Sequence, residues 1–403
     1  MTKSSEFVNI ISIEINTKIT KEDKMEKVVF LTGATGFVGG NIVIRLLDDP
    51  TVSRILLLVR GKSQSNTEER LYNNLQEINS TKILPNSTVK IEIIQGDVTL
   101  PNLGLTDELY ENLAKRVTHI IHSAANVSFT QTLEEARRVN YLGTENLLKF
   151  AQLAKLLNGL QQLGYIGTAY VSGNRKGIIF EDELVKPSAF ANPYEQSKFE
   201  TEKLVRSYFK DLPITIFKPS IIIGDSETGI TTTFNVLYYP LKLIYKGYLH
   251  AIPGSRRNNI DVVPVDYVVN AICHILFHAT EVVGKVYHLT SGTDAAITAG
   301  EIIDLTLEYF NETKVSNIAK TIFIPAIFYN ASKRFYSGTL KKLVKNLEVY
   351  LPYLLVKRMF DNSNTQNALR GSGIKPPNFK EYYRTVLGYC LIVNWGKHIK
   401  VAA

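Results

Sequence analysis

Tyr194-Glu195-Gln196-Ser197-Lys198 places a phenol and an ammonium four residues apart. On a helix such residues share one face, about 5–6 Å apart at Cβ. A cation beside a phenol favours the phenolate and lowers a pKa that is otherwise about 10. The pair therefore reads as a proton-transfer device usable near neutral pH, with a lowered Tyr194 phenol as the expectation. Thr168, in Tyr165-Ile166-Gly167-Thr168-Ala169-Tyr170-Val171, would hold a substrate oxygen beside that phenol. Asn140, in Asn140-Tyr141-Leu142-Gly143-Thr144, either anchors a proton-relay water or bends a helix as a structural amide.

These side chains need a scaffold, and the hydrophobic pattern supplies one. Short apolar strands are expected at 27–32, 54–60, 89–96, 119–122, 164–171 and 214–223. Helical periodicity falls at 41–47, 134–157 and 194–209, with Pro193 at the start of the last. Strands alternating with helices predict an α/β fold of the Rossmann type, a doubly wound parallel sheet with helices on both faces. Such sheets bind ligands at the carboxyl ends of their strands. Beyond about residue 225 the alternation weakens. Residues 285–290 should complete the sheet, and 291–403 should form a smaller, mostly helical cap. Aromatic- and aliphatic-rich residues 234–249, within a 225–262 stretch assigned to the substrate site, would line an apolar pocket or pack the cap.

Thr32-Gly33-Ala34-Thr35-Gly36-Phe37-Val38-Gly39 follows the first strand and opens a helix. Glycines there allow a tight turn and let backbone N–H groups approach a pyrophosphate at the helix N-terminus. The second strand ends at Arg60, where an NAD-preferring site would usually carry an acidic residue. A guanidinium cannot accept from ribose hydroxyls but can clamp a 2′-phosphate, so NADP(H) is expected, with Arg70 as a second candidate. Asp97-Val98, after the third strand, should meet the adenine.

Composition bounds the rest. The 403 residues are 45% hydrophobic and 21% charged, ordinary for a globular enzyme. Two cysteines, Cys273 and Cys390, cannot make a disulfide framework or a zinc site, so a cytoplasmic setting, no metal and structural thiols are expected. No apolar run approaches the roughly 20 residues that span a bilayer. Residues 1–24 lack the pattern of a signal peptide and read as a disordered or extended arm. Translation could start at Met1 or Met25. The net charge is +8, and much of the excess sits at 331–360: Lys333, Arg334, Lys341, Lys342, Lys345, Lys357 and Arg358 against Glu348. That run reads either as a solvated helical face or as a docking surface for an acidic carrier protein, coenzyme phosphates or a membrane surface. No nucleic-acid motif accompanies it.

Together these residues resemble the extended short-chain dehydrogenase/reductase family over roughly 27–290. The resemblance implies an Asn140, Thr168, Tyr194 and Lys198 tetrad. It also implies a cofactor wall at Ser123, Ala124 and Ala125 and further cofactor contacts at Lys218, Pro219, Ser220 and Ile221. Within the family, the chain looks most like the thioester reductase and fatty acyl-CoA reductase branch. Leu57-Leu58-Val59-Arg60-Gly61, residues 124–129, Gly167-Thr168-Ala169-Tyr170-Val171, Lys218-Pro219-Ser220-Ile221-Ile222-Ile223-Gly224-Asp225 and Phe360-Asp361-Asn362-Ser363-Asn364-Thr365 carry that likeness. Gly167 departs from it, because many relatives have serine there.

The resemblance implies NADPH-dependent reduction of an acyl thioester, on coenzyme A or a carrier protein, to an aldehyde or, with a second hydride, to an alcohol; the sequence does not choose between the two. An extended dehydrogenase or epimerase acting on a sterol, ketone or nucleotide sugar would use the same tetrad. A non-catalytic NADP-binding protein would have no need of Tyr194 with Lys198. The sequence does not choose between monomer and homodimer.

Overall fold

In the computed structural model, the described residues are 26–61, 63–79, 90–234, 236–313, 321–325 and 347–397. Seven strands form one sheet: β1 (Lys27–Thr32), β2 (Val52–Val59), β3 (Ile91–Gln95), β4 (His119–His122), β5 (Gln162–Ile166), β6 (Ile214–Pro219) and β7 (Val286–Leu289). Their order is β7-β6-β5-β4-β1-β2-β3, and every neighbouring pair is parallel. Leu31 of β1 pairs in register with Leu57 of β2 and Ile121 of β4.

Parallel strands buried on both faces must be apolar throughout. Val29 and Leu31 face one core, shared with α1 (Phe37–Leu47) and α7 (Val265–Phe277). Phe30 faces the other, with α3 (Asp107–Ala114) and α4 (Gly143–Asn158). The chain crosses between strands through α2 (Gln64–Ile78) and α5 (Pro193–Ser207) as well. The doubly wound sheet expected from the strand–helix alternation is thus present. The switch in strand order falls between β1 and β4, at whose carboxyl ends a crevice opens.

Three local expectations need correction. β5 stops at Ile166, not at residue 171, because Thr168 caps a 3-10 turn (Ala169–Ser172), its hydroxyl accepting from Tyr170 N at 3.3 Å. The strand expected at 214–223 breaks at Ser220, and Ile221–Ile223 pairs instead with Val262–Pro264. The helix expected at 134–157 is interrupted by a π-helical turn, Arg138–Leu142, that contains Asn140.

A third apolar cluster joins the cap to the segments that follow β5 and β6, at Tyr170, Ile221 and Ile223. It gathers α6 (Tyr238–Tyr245), α8 (Ala299–Glu312) and α9 (Phe379–Ile392) around Tyr238, Leu241, Phe310, Val386 and Trp395. Strand Arg358–Phe360 adds beside Gly177–Ile179. Glu181, buried, binds this segment: its carboxylate accepts from Thr365 N, Thr365 Oγ1, Asn364 N and, on β7, His288 N. Of the basic run at 331–360, Lys333, Arg334, Lys341, Lys342 and Lys345 lie outside the described residues, as does the arm at 1–24. Arg358 is not surface charge. It is buried, its guanidinium 4.7 Å from the Tyr170 ring centroid and donating to the Gly173 carbonyl. Cys273 and Cys390 are buried free thiols, and burial pushes both upward, Cys273 to about 12. Among the described residues, no helix is long and apolar enough to cross a membrane, and no three His, Cys, Asp or Glu side chains group to hold a metal.

Candidate active site

The crevice holds a cavity of about 770 Å³. On one side β1 runs into Gly33, at φ +82°, a conformation that favours glycine. A Cβ there would lie 2.6 Å from Ala124 N, so the turn packs flat against the end of β4. Gly36 N donates to the Gly33 carbonyl at 3.0 Å, and a Cβ on Gly39 would run into that same carbonyl. Gly36 caps α1 with no side-chain acceptor, and the first turn carries no acidic residue. Gly36, Phe37, Val38 and Gly39 line the cavity, so the positive end of α1 opens into it. This arrangement fits a dinucleotide pyrophosphate.

Across the cavity lie Thr168, Tyr194 and Lys198. Asn192 starts α5 by accepting from Glu195 N at 3.0 Å, and Pro193 takes the first helical position. The Thr168 hydroxyl donates to the Pro219 carbonyl at 3.4 Å and stands beside the Tyr194 phenol. Burial holds that phenol above its ordinary value, with the Thr168 hydroxyl opposing the rise. The expectation that Lys198 would lower it is corrected. Lys198 turns under β5, its Nζ donating to the Ile166 carbonyl at 2.8 Å and standing 4.4 Å from the Tyr165 ring centroid. Burial pushes Lys198 down to about 7, with Glu202 pulling the other way.

The structure places the expected cofactor residues unevenly. Ser123, Ala125, Pro219, Ser220 and Ile221 join the loop and Thr168, Tyr194 and Lys198 in one cavity wall. Thr32, Gly33 and Ala124 sit one layer behind it, where Thr32 Oγ1 accepts from Ala124 N at 3.3 Å. Thr35 is in the turn itself. Arg60 is exposed at the end of β2, Arg70 Nη1 donates to its backbone carbonyl at 2.9 Å, and neither residue lines the cavity. Asp97 Oδ1 accepts from Thr99 N at 2.8 Å, the geometry of a turn, while Val98 is core beside Gly143. Lys218 is not at the cavity. It is buried against Glu202, Nζ to Oε1 3.4 Å, because alternate residues of β6 point to opposite faces. Asn140 is spoken for by structure: Oδ1 accepts from Asn126 N at 2.8 Å, and Nδ2 donates to Asn126 O and to Ser197 Oγ.

The remaining wall was largely hidden from sequence reading. Phe129 stacks on Tyr353 at 5.6 Å between centroids and sits 5.9 Å from Tyr194. Tyr353 also meets Tyr170 edge-on at 4.8 Å, accepts from Asn192 Nδ2 at 3.0 Å and faces the buried Glu195 carboxyl. Val236, Tyr239 and Tyr350 complete this side. Of the segment at 234–249, Val236 and Tyr239 reach the cavity, whereas Tyr238, Leu241, Leu243, Ile244 and Leu249 are cap core. A pair of tyrosines spaced three apart at 350 and 353 was the available signal, but nothing local ties it to Tyr194.

Comparison with known proteins follows the same lines. A family model described as male sterility protein matches residues 31–272. The chain is 31% identical over 278 residues to the fatty acyl-CoA reductase wat of Drosophila melanogaster, covering 61% of this chain and 53% of that protein. It is 25% identical over 438 residues to fatty acyl-CoA reductase 1 of Arabidopsis thaliana, covering 84% and 89%. The chain therefore spans about half the length of the first relative and most of the second. Among solved structures, the terminal R domain from the myxalamid PKS-NRPS biosynthetic pathway superposes with a TM-score of 0.76 at 27% identity over 92% of both chains.

Proposed function

Since the chain belongs to the male sterility protein family, we propose that it is an NADPH-dependent reductase of acyl thioesters, forming an aldehyde and, by a second round, an alcohol. One observation carries the reading: the open N-terminus of α1, the Thr168 and Tyr194 hydroxyls and an aromatic wall share one cavity. Anion cradle, oxygen donors and apolar acyl site are what this reaction needs together.

The first turn of α1 would hold the pyrophosphate, with Arg60 and Arg70 as the candidates for a 2′-phosphate. When bound, the nicotinamide supplies a hydride to the thioester carbonyl carbon. The residues of this chain do the rest. Thr168 and Tyr194 donate to the carbonyl oxygen and stabilise the charge that develops there. A phenol held above its ordinary value by burial stays protonated, which suits a donor better than a base. Collapse of the thiohemiacetal breaks the C–S bond, and the thiol leaves with the proton. Reduction of the aldehyde instead requires a proton on the product oxygen. Tyr194 would give it, and Lys198, at about 7, would restore it. The aromatic side, Phe129, Tyr350 and Tyr353, offers flat apolar surface to the acyl group. The thioester carrier, coenzyme A or an acidic protein, is the finer part of the proposal.

The test is product analysis by mass spectrometry after incubation with NADPH and a panel of acyl thioesters. Aldehyde or alcohol is the expected product, and Tyr194→Phe should lower kcat by about 10²–10⁴-fold. An unchanged rate of NADPH consumption in Tyr194→Phe would overturn the mechanism.

A further inference from the structure

A chain of buried hydrogen bonds runs behind the cavity, from the start of the glycine loop to the acid–base helix. Ala124 N donates to Thr32 Oγ1 at 3.3 Å, and Thr32 Oγ1 lies 2.7 Å from His122 Nδ1. His122 Nε2 lies 2.9 Å from Thr144 Oγ1, which is 2.6 Å from the Asn140 carbonyl. The Asn140 side chain then donates to Ser197 Oγ at 2.9 Å, and Ser197 Oγ donates to the Tyr194 carbonyl at 2.8 Å. Thr32, His122, Asn140, Thr144 and Ser197 are all buried.

The direction of each link is forced. A carbonyl can only accept, so the single Thr144 hydroxyl proton goes to Asn140 O. Thr144 must then accept from His122, which fixes a proton on Nε2. Burial, reinforced by Lys198, pushes the imidazole down to about 3, so the ring is neutral and Nδ1 is bare. Nδ1 therefore accepts from the Thr32 hydroxyl, and Thr32 in turn accepts from Ala124 N. No link can reverse without leaving a buried group unsatisfied.

We propose that His122 is a positioning residue, locked as its Nε2–H tautomer, that ties the cofactor-wall turn at Ser123-Ala124-Ala125 to the π-turn at Asn140 and thereby to Tyr194. The π-turn makes this possible. It displaces the helix backbone so that Asn140 reaches both the Asn126 backbone and α5. His122 thus sets the spacing between the two sides of the reaction site while touching neither ligand. A neutral ring also keeps a second cation away from Lys198.

The experiment has two readouts that do not require a known substrate. Nitrogen-15 NMR of the histidine rings should show His122 protonated on Nε2 alone and not titrating between about pH 5 and about pH 9. An Nδ1–H tautomer or a titrating ring would overturn the proposal. NADPH affinity, followed by its fluorescence, should fall about tenfold in Thr144→Val, although Thr144 lies outside the cavity wall, and should recover in Thr144→Ser. Thr32→Val should cost a similar factor, and the double variant should be distinctly less than additive, because both break the same chain. Additive effects, or an unchanged affinity in Thr144→Val, would overturn the coupling. If the valine variants do not fold, Thr144→Ser and the tautomer of the unaltered protein still decide. Loss of thioester turnover with these results intact would count against the reaction, not against His122.

Discussion

The two sides of the cavity are built differently. The glycine-turn side, where the cofactor is proposed to bind, is made by neighbours: Gly33, Gly36 and Gly39 lie within seven residues, and the parallel pairing of β1 with β4 brings Ala124 beside them. The cap side is held by a few contacts between residues more than 150 apart. Asn192 and Tyr353 meet across 161 positions, Glu181 and Thr365 across 184, and Arg358 and Gly173 across 185. One side is a local motif that any doubly wound sheet can carry. The other is a set of staples that exists only once the whole chain has folded. Binding of the cofactor and selection of the acyl group should therefore separate under mutation.

Gly33→Ala should break the cofactor side hardest. It forces a side chain into φ +82° and against Ala124 N, so NADPH affinity should drop by more than about 100-fold. Near-normal affinity by fluorescence titration would show that the turn is not the cradle. Arg60→Ala should leave NADH turnover alone and reduce the preference for NADPH by about 30-fold, the loss of a charge-assisted phosphate contact. Equal turnover with both cofactors in the unaltered protein would sink that assignment.

Tyr353→Phe tests the cap side. It keeps the stack on Phe129 and removes the hydroxyl that accepts from Asn192. The thioester KM should rise about fivefold to tenfold with the affinity for NADPH unchanged. A fall in cofactor affinity instead would erase the distinction between the sides. The last effect is read in stability and concerns Lys198, which belongs to both. Its folded pKa of about 7 lies below the ordinary 10.5. Between those values the unfolded chain binds more protons, so this residue makes stability rise with pH across that window. Lys198→Met removes the buried ammonium. Its stabilising effect should be largest near pH 6.5 and smaller near pH 9.5 by on the order of 2 kcal/mol. Urea unfolding of both proteins at the two pH values measures it, and a gain independent of pH would contradict a neutral Lys198 in the folded state.

Residue patterns told most where structure is local. The strand before Thr32, the glycine spacing and the four-residue step from Tyr194 to Lys198 needed only periodicity, and the sheet followed from their alternation. The same reasoning failed where a residue type is ambiguous about its environment. Lys218 is expected among the cofactor contacts, yet sits paired with buried Glu202. Arg358 reads as part of a basic surface, yet lies under Tyr170. Tyr194 and Lys198 share a helix face, but the long lysine side chain bends to the Ile166 carbonyl, so burial rather than the neighbouring cation governs the phenol.

By itself the sequence determined the secondary structure order, the glycine turn and the helical spacing of Tyr194 and Lys198. Each of those depends on backbone geometry within about two helical turns or on the alternation of a strand. Only the tertiary structure decided which charges are buried, which way Lys198 points and which cap tyrosines wall the cavity. Those outcomes depend on desolvation and on packing between distant segments, and neither is written in the spacing of residues along the chain.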